Sequence, residues 1–451
     1  MNKSWLRKTI GELCEKGGGK VQTGPFGSQL HQTDYSEEGT PVVMPTDIPT
    51  GQINVTRIAR VSETHVHRLS RHKLRKGDIV YGRRGDIGRQ AFVRKENVGW
   101  LCGTGCLRIR LGKSEVDPEY LHRYLTLPEI KGWIEGQAVG ATMPNLNTAI
   151  LNRVPVCYPG LGEQRKIAAI LTAYDDLIET NKRRIALLER MAEEIYREWF
   201  VRMRFPGHRT VKFVKGVPEG WEPMPSSDMF DVLSGGTPKT DVPRYWDGPI
   251  PFFTPKDAPD HIYVSTTEKW ITEKGLNSCN SRLYPKNTIF ITARGTVGKL
   301  ALAQCNMAMN QSCYALVPKF DEEIFFFYLS MLNAIEIVKG VSKSGVFDNI
   351  IIDTFRIIPI YFPGRPLIKK FNEIAAPIFS QLESLLSANA SLAKTRDLLL
   401  PRLISGKLSV ADLDIEFPPS MREETENVDR KERASREQAQ PLAISQERSK
   451  P

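Results

Sequence analysis

Two stretches of this chain carry apolar residues at alternating spacings of four and three over many turns, and that period limits what the chain can become. From Glu163 to Phe200 the seam runs Ile167, Leu171, Tyr174, Ile178, Asn181, Ile185, Leu188, Ala192, Ile195, Trp199. From Phe371 to Leu403 it runs Phe371, Ala375, Ile378, Leu382, Leu385, Asn389, Leu392, Arg396, Leu399, Leu403. The two seams keep a constant offset of 204 residues. A surface helix with a 3.6-residue period drifts away from such a seam, so two long helices packed on one another are expected. Packing of each helix on its own domain stays open as the alternative. Asn181 and Asn389 interrupt the apolar run and are expected to fix register at some cost in stability. Pro377 and Pro401 lack an amide donor and crowd the preceding turn, so the second helix is expected to break near both, leaving Ile378 to Leu400 uninterrupted.

The segments before the helices also repeat. Lys76-Gly77-Asp78-Ile79-Val80 leads into Arg84-Gly85-Asp86-Ile87-Gly88, and Lys286-Asn287-Thr288-Ile289-Phe290 leads into Arg294-Gly295-Thr296-Val297-Gly298. Each reads as a strand, a glycine turn and a second strand, Gln90 to Arg94 or Leu300 to Ala303. A Cys-containing strand follows in each half (Cys106 to Leu111; Cys313 to Val317), then a helical stretch (Tyr120 to Ile134; Ile324 to Val338). A Pro-containing strand (Val154 to Tyr158; Ile357 to Phe362) precedes each long helix. Met203 to Pro218 reads as a linker, and the chain from Phe417 onward as a disordered charged tail.

The 451 residues are 41% hydrophobic and 25% charged, with a net charge of +10, which suits a globular protein with a polyanionic partner. Charge alone does not choose between nucleic acid and an acidic protein. Seven scattered cysteines without a Cys-x-x-Cys pair point to reduced thiols. No apolar run suggests a signal peptide or a membrane span, so a cytoplasmic location is expected.

A search for catalytic residues returns little. There is no phosphate-binding Gly-x-x-x-x-Gly-Lys loop, and Gly103-Thr104-Gly105 lacks the third glycine of a dinucleotide loop. No Asn-Pro-Pro or Asp-Pro-Pro precedes an aromatic, as a base-flipping methylase would require. Asp117 with Glu129 is the nearest approach to a nuclease carboxylate set, but both fall on or beside the Tyr120 to Ile134 helical stretch, where exposed charges are expected. His65, His67 and His72 lie close together without a completing ligand and read as a solvated strand rather than a zinc site.

The basic glycine turns are the remaining candidates. Arg83, Arg84 and Arg89 bracket glycines in the first half, as Arg294 and Lys299 do in the second. Glycine lets a backbone approach phosphate closely, and arginine can donate two parallel hydrogen bonds to guanine. Near the start of each half lie the glycine-rich polar loops that contain Lys20, Gln22 and Thr23, and Thr237, Lys239 and Thr240. The loops Gly140-Ala141-Thr142 and Lys343-Ser344-Gly345 carry weaker signals. Each of these residues is a candidate DNA contact, and each equally suits a solubilising turn.

Several motifs, in this order, resemble the specificity (S) subunit family of type I restriction-modification systems. They are Glu163-Gln164-Arg165-Lys166-Ile167-Ala168, Glu198-Trp199-Phe200, Phe205-Pro206-Gly207-His208, Gly235-Gly236-Thr237-Pro238-Lys239-Thr240 with Tyr245-Trp246, and Leu399-Leu400-Pro401-Arg402-Leu403-Ile404-Ser405-Gly406-Lys407. Pro366 and Pro377 depart from the family pattern, replacing a Gln-Arg-Lys-type entry and an unbroken second helix.

The resemblance implies an α+β chain: two tandem mixed α/β target recognition domains, separated by two long helices that form an antiparallel coiled coil. The divisions are recognition domains at 1–162 and 219–364, helices at 163–200 and 365–410, a linker at 201–218 and a tail at 411–451. It implies a subunit without catalysis that reads a split, asymmetric target on double-stranded DNA. Ile167, Leu171, Ile178, Ile185, Leu188, Ile378, Leu385, Leu392 and Leu399 would serve helix pairing and the docking of methyltransferase (M) subunits. M subunits would bind S-adenosylmethionine, and restriction (R) subunits would use ATP and Mg; no metal or cofactor is expected on this chain. A helix of this length, at about 1.5 Å per residue, spans about 55 Å, more than one turn of DNA. A freestanding DNA-binding regulator and a self-contained restriction or modification enzyme are the competing readings.

Overall fold

The computed structural model describes residues 5–49, 51–84, 87–137, 145–319, 323–341 and 349–422. They form two compact units, Met1–Ile178 with the chain from Leu392 onward, and Glu179–Ser391. Each unit thus holds part of both long helices.

In the first unit, the helix Ile10–Gly17 starts where Thr9 accepts from the Glu12 amide while the Glu12 carboxylate accepts from Thr9. It stops at Gly18, whose φ of 69° closes the last turn in the left-handed region. The central antiparallel sheet orders its strands Gly18–Thr23, Cys106–Gly112, Ile79–Gly82, Gln90–Phe92. All four residues of Ile79–Gly82 are buried because both faces are covered. Ile79 and Tyr81 face a helical core with Tyr120, Leu121 and Tyr124. Val80 faces Val43, Leu74 and Cys102 on the other side. A second sheet contributes Thr40–Val43, paired in parallel with Leu101–Cys102.

The second unit repeats this plan. Its sheet orders Phe230–Ser234, Cys313–Pro318, Ile289–Thr292, Leu300–Ala303 and Tyr263–Val264. Ile289 and Ile291 join the core beneath the helix Ile324–Val341, while Phe290 stacks on Phe253 with ring centroids 5.0 Å apart. Trp246–Phe253 pairs in parallel with Ala308–Met309. The hairpins and Cys-containing strands read from sequence are all present. Tyr120 to Ile134 differs, forming two helices, Pro118–Tyr124 and Pro128–Gln137, where the second unit has one.

The first long helix is Leu161–Tyr196, ending in a π-turn over Arg197–Val201, and the second is Arg365–Ile404. Pro377 and Pro401 do not break it. Both prolines and Glu373, the residue whose carbonyl loses its partner at Pro377, are exposed to water. Phe371, Ala375, Ile378, Phe379 and Leu382 are buried on the opposite side. Water can therefore satisfy the freed carbonyl, and core packing offsets the roughly 3 kcal/mol that an interior proline costs. Pro366 sits in the first turn, where an amide has no intrahelical partner in any case.

The helices run antiparallel inside each unit. In the second, Trp199 meets Phe371 with centroids 5.8 Å apart, and Asn181 Nδ2 donates to Asn389 Oδ1 at 2.9 Å. In the first, Ile167 and Leu171 share a core with Leu403, and Arg396 Nη1 donates to Asp175 at 2.5 Å. Ile178, Ile185 and Ile378 are buried, and Leu188, Leu385, Leu392 and Leu399 half-buried. These side chains serve pairing and core packing. The exposed large apolar side chains on the long helices are others: Leu161, Leu177, Leu187, Met191, Ile374 and Leu398.

The Asn181–Asn389 bond replaces apolar contact with one directional link. Asn181→Leu alone is expected to destabilise the second unit by about 1–3 kcal/mol, because the hydrogen bond between the two amides is lost and an apolar side chain is set against Asn389; Asn389→Leu alone and the double variant complete the comparison. A double-mutant cycle by urea unfolding measures the coupling.

The tail is ordered further than its composition suggests. Residues 411–422 lie among the described ones: Met421 packs on Ala168 and Ala169, and Ser420 donates to Asp176 at 2.6 Å. Two small residues on one helix face leave a shallow seat that Met421 fills. Residues 423–451, and the loops around 140–142 and 343–345, lie outside the described residues. No helix among the described residues is long and apolar enough to cross a membrane. Cys14, Cys102, Cys106, Cys157, Cys279, Cys305 and Cys313 are free thiols.

Candidate nucleic-acid interface

Strand register brings the candidate segments of each unit to one end of its sheet. In the first unit, Thr23 and Tyr81 both pair with Leu107, on opposite sides of the central strand. Gly24 N then donates to Cys106 O at 2.9 Å, and Arg83 N to Gly105 O at 2.8 Å. The end of the first strand, the Gly103–Gly105 turn and the basic hairpin turn thus adjoin, two inter-strand spacings or about 10 Å across. In the second unit, Ser234 and Ile291 both pair with Tyr314. Gly236 N donates to Met309 O and Ala293 N to Ser312 O. The same corner is built twice.

Glycine is needed where strand and turn meet. A Cβ on Gly24 would overlap the Gly103 carbonyl oxygen, and one on Gly235 the Asn310 carbonyl oxygen. Gly295, at φ 79°, turns the second hairpin beside Arg294.

Individual candidates fare differently. Lys20, Gln22 and Thr23 lie on the strand Gly18–Thr23 rather than in a loop, because pairing with Cys106–Gly112 satisfies this glycine-rich backbone. The Gln22 side-chain oxygen accepts from Arg108 Nη2 at 2.8 Å. Arg108 is almost fully buried and also donates to the carbonyls of Arg71 and Lys73. Gln22 therefore helps satisfy a buried guanidinium, while Lys20 beside it is exposed. Arg83 Nε donates to Asn145 at 3.0 Å; Arg84 and Arg89 are exposed. In the second unit Thr237 donates to Gln311, the Lys239 carbonyl accepts from Trp246, and Thr240 and Arg294 are exposed. Lys299 is held by Asp260 at 2.7 Å, away from full availability.

Three of the enzyme-like candidates, Asp117, His65 and His72, have structural partners. Asp117 caps Pro118–Tyr124, accepting from the amides of Glu119 and Tyr120. His65 and His67 lie on the helix Glu63–Arg68 and His72 in the 3-10 turn after it, correcting the strand reading. His65 contacts Ser62 and Asp34. His72 accepts from Arg71; burial, then the cations Arg71 and Arg108, push its pKa down to about 4. No cluster of metal-ligating side chains occurs among the described residues.

Sequence reading missed a fourth segment of the corner. Pro45-Thr46-Asp47 and Pro255-Lys256-Asp257 are 3-10 turns at the exits of Thr40–Val43 and Trp246–Phe253. Pro45 lies 3.7 Å from where a Gly82 Cβ would sit, and Pro255 O accepts from Thr296 at 3.2 Å. The signal was available: Pro-x-Asp-x-Pro recurs at an offset of 210 residues, the offset that separates Arg84 from Arg294.

Comparisons with known proteins agree with this duplicated plan. The family model described as type I restriction modification DNA specificity domain matches twice, over residues 2–190 and 218–392. The type I restriction enzyme MjaIX specificity subunit of Methanocaldococcus jannaschii is 26% identical over 425 residues, covering 91% of this chain and 95% of its own. The type I restriction enzyme HindI specificity subunit of Haemophilus influenzae is 23% identical over 400 residues, covering 74% and 87%. The crystal structure of a type I restriction-modification system S subunit from M. genitalium superposes with a TM-score of 0.56 at 19% identity, covering 89% of this chain and 97% of that one, a likeness of fold. With both halves matched in sequence and the fold shared, the chain belongs to the type I restriction-modification DNA specificity family.

Proposed function

We propose that this chain is the DNA-recognition subunit of a type I restriction-modification complex, with each unit reading one part of a split target on double-stranded DNA. The observation that carries this is the sheet-end corner built twice from the same backbone parts: Arg84 and Arg294 match, whereas one unit has an exposed Arg89 where the other has Lys299 held by Asp260. A repeated frame holds the reading surface, and unlike side chains let it read unlike bases. The net charge of +10 suits a polyanion.

The chain supplies recognition and leaves chemistry to its partners. M subunits carry S-adenosylmethionine and methylate the target, and R subunits add cleavage driven by ATP with Mg; the complex works in the cytoplasm. Of the carboxylates and histidines weighed for catalysis, Asp117 caps a helix, His65 contacts Asp34 and His72 accepts from Arg71.

The test is DNA methylation in the presence of S-adenosylmethionine. The purified chain alone should give none. Added to M subunits, it should direct methylation to a split site. Methyl transfer by the chain alone would refute this reading.

A further inference from the structure

The two Pro-x-Asp turns differ in one respect that bears on target choice. Their frames match. In the first unit, Met44 N donates to Asp47 Oδ2 at 2.8 Å; in the second, Thr254 N donates to Asp257 Oδ2 at 2.8 Å. Thr254 Oγ1 adds a bond to the same oxygen, and Glu268 N donates to Asp257 Oδ1 at 2.7 Å. The strand before each turn pairs in parallel with the short strand entering the corner, through Gly103 N to Val43 O at 2.9 Å and Asn310 N to Phe253 O at 3.0 Å. Proline fixes one backbone angle, and the aspartate ties the turn shut.

The middle residue is the one that changes: Thr46 in one unit, Lys256 in the other. Both are exposed. Among the described residues neither side chain has a hydrogen-bond or ion-pair partner, whereas Lys299 close by is held by Asp260. A solubilising residue has no need of a frame closed by several hydrogen bonds. A side chain that must meet a base edge in one orientation does, because positional freedom weakens discrimination.

From this placement we infer that Thr46 and Lys256 are specificity-determining residues, each fixing a base pair in the part of the target read by its own unit. Lysine is a donor suited to the O6 and N7 acceptors of guanine, and threonine offers a hydroxyl and a methyl group. This inference rests on the DNA-recognition reading above.

The full chain, assembled with M subunits, is presented with a randomised duplex library, and the methylated sequences are read for the unsubstituted chain, Thr46→Ala and Lys256→Ala. Lys256→Ala is expected to relax one base-pair position by about tenfold or more, and Thr46→Ala one position in the other part of the target by severalfold. The remaining positions stay as they were. Unchanged preferences in both variants, or changes within the same part, would overturn the inference. So would an even loss of affinity across all sequences with a shallower salt dependence, the signature of a phosphate contact. If the unsubstituted chain gives no split target, the recognition reading falls, and this inference with it. Thermal unfolding of both variants should match the parent, since neither side chain touches the core.

Discussion

Phe371→Ala should lower the stability of the second unit by about 3–5 kcal/mol, seen as a fall in the urea midpoint with little change in slope. Phe371 is fully buried and its ring meets four others. Phe200 lies at 5.2 Å, Trp199 at 5.8 Å, Tyr196 at 6.1 Å and Phe326 at 6.4 Å between centroids. Three come from the end of the first long helix and one from the helix Ile324–Val341. Truncation therefore opens a cavity where three elements converge, and rings this interlocked cannot readily collapse into it. A loss below about 1 kcal/mol would mean that the cluster does not hold these helices together.

Asp175→Ala should cost the first unit a similar amount, about 3–5 kcal/mol, for a different reason. The carboxylate lies between Arg123 and Arg396, with Arg123 also bound to Glu119 at 3.0 Å and to Thr172 at 3.2 Å. Removing it leaves a buried guanidinium short of counter-charge. Burial pushes the Asp175 pKa up, but the two arginines outweigh it, and the carboxyl ends below its usual range. A depressed folded-state pKa gives stability that is complete above the unfolded-state value, near 4, and disappears as pH falls through the folded-state value. The gap between parent and Asp175→Ala should thus be full at neutral pH and narrow below about pH 4. An undiminished gap in strong acid would exclude the ion pairs as its cause.

Where periodicity carries information, the sequence was readable. Ile79-Val80-Tyr81 and Ile289-Phe290-Ile291 declare apolar strands, and the long seams declare paired helices. Asn181 and Asn389 stand out as polar residues on those seams, and they meet. Local rules misled where tertiary packing decides. Pro377 breaks an isolated helix, yet here a buried face holds the helix through it. Glycine-rich Gly18–Thr23 looks like a loop until a partner strand takes up its hydrogen bonds. Nothing in the segment around Gln22 reveals Arg108, 86 residues away, whose guanidinium its side-chain oxygen accepts from. The Pro-x-Asp turns escaped because three residues have no period, and only their recurrence marks them.

The first unit is interrupted in sequence: it needs the chain from Leu392 onward to finish its core, with Leu403 and Ile404 fully buried against Ile167 and Leu171. On a ribosome, the second unit has all its parts first. The earlier-made unit must wait on the order of tens of seconds, at about 5–20 residues per second, with the apolar start of the first long helix unsatisfied. During that interval Ile167 and Leu171 offer a sticky seam to any chaperone or neighbouring nascent chain. Slower translation between codons 179 and 391 should therefore reduce the soluble yield of this protein more than equal slowing near its start.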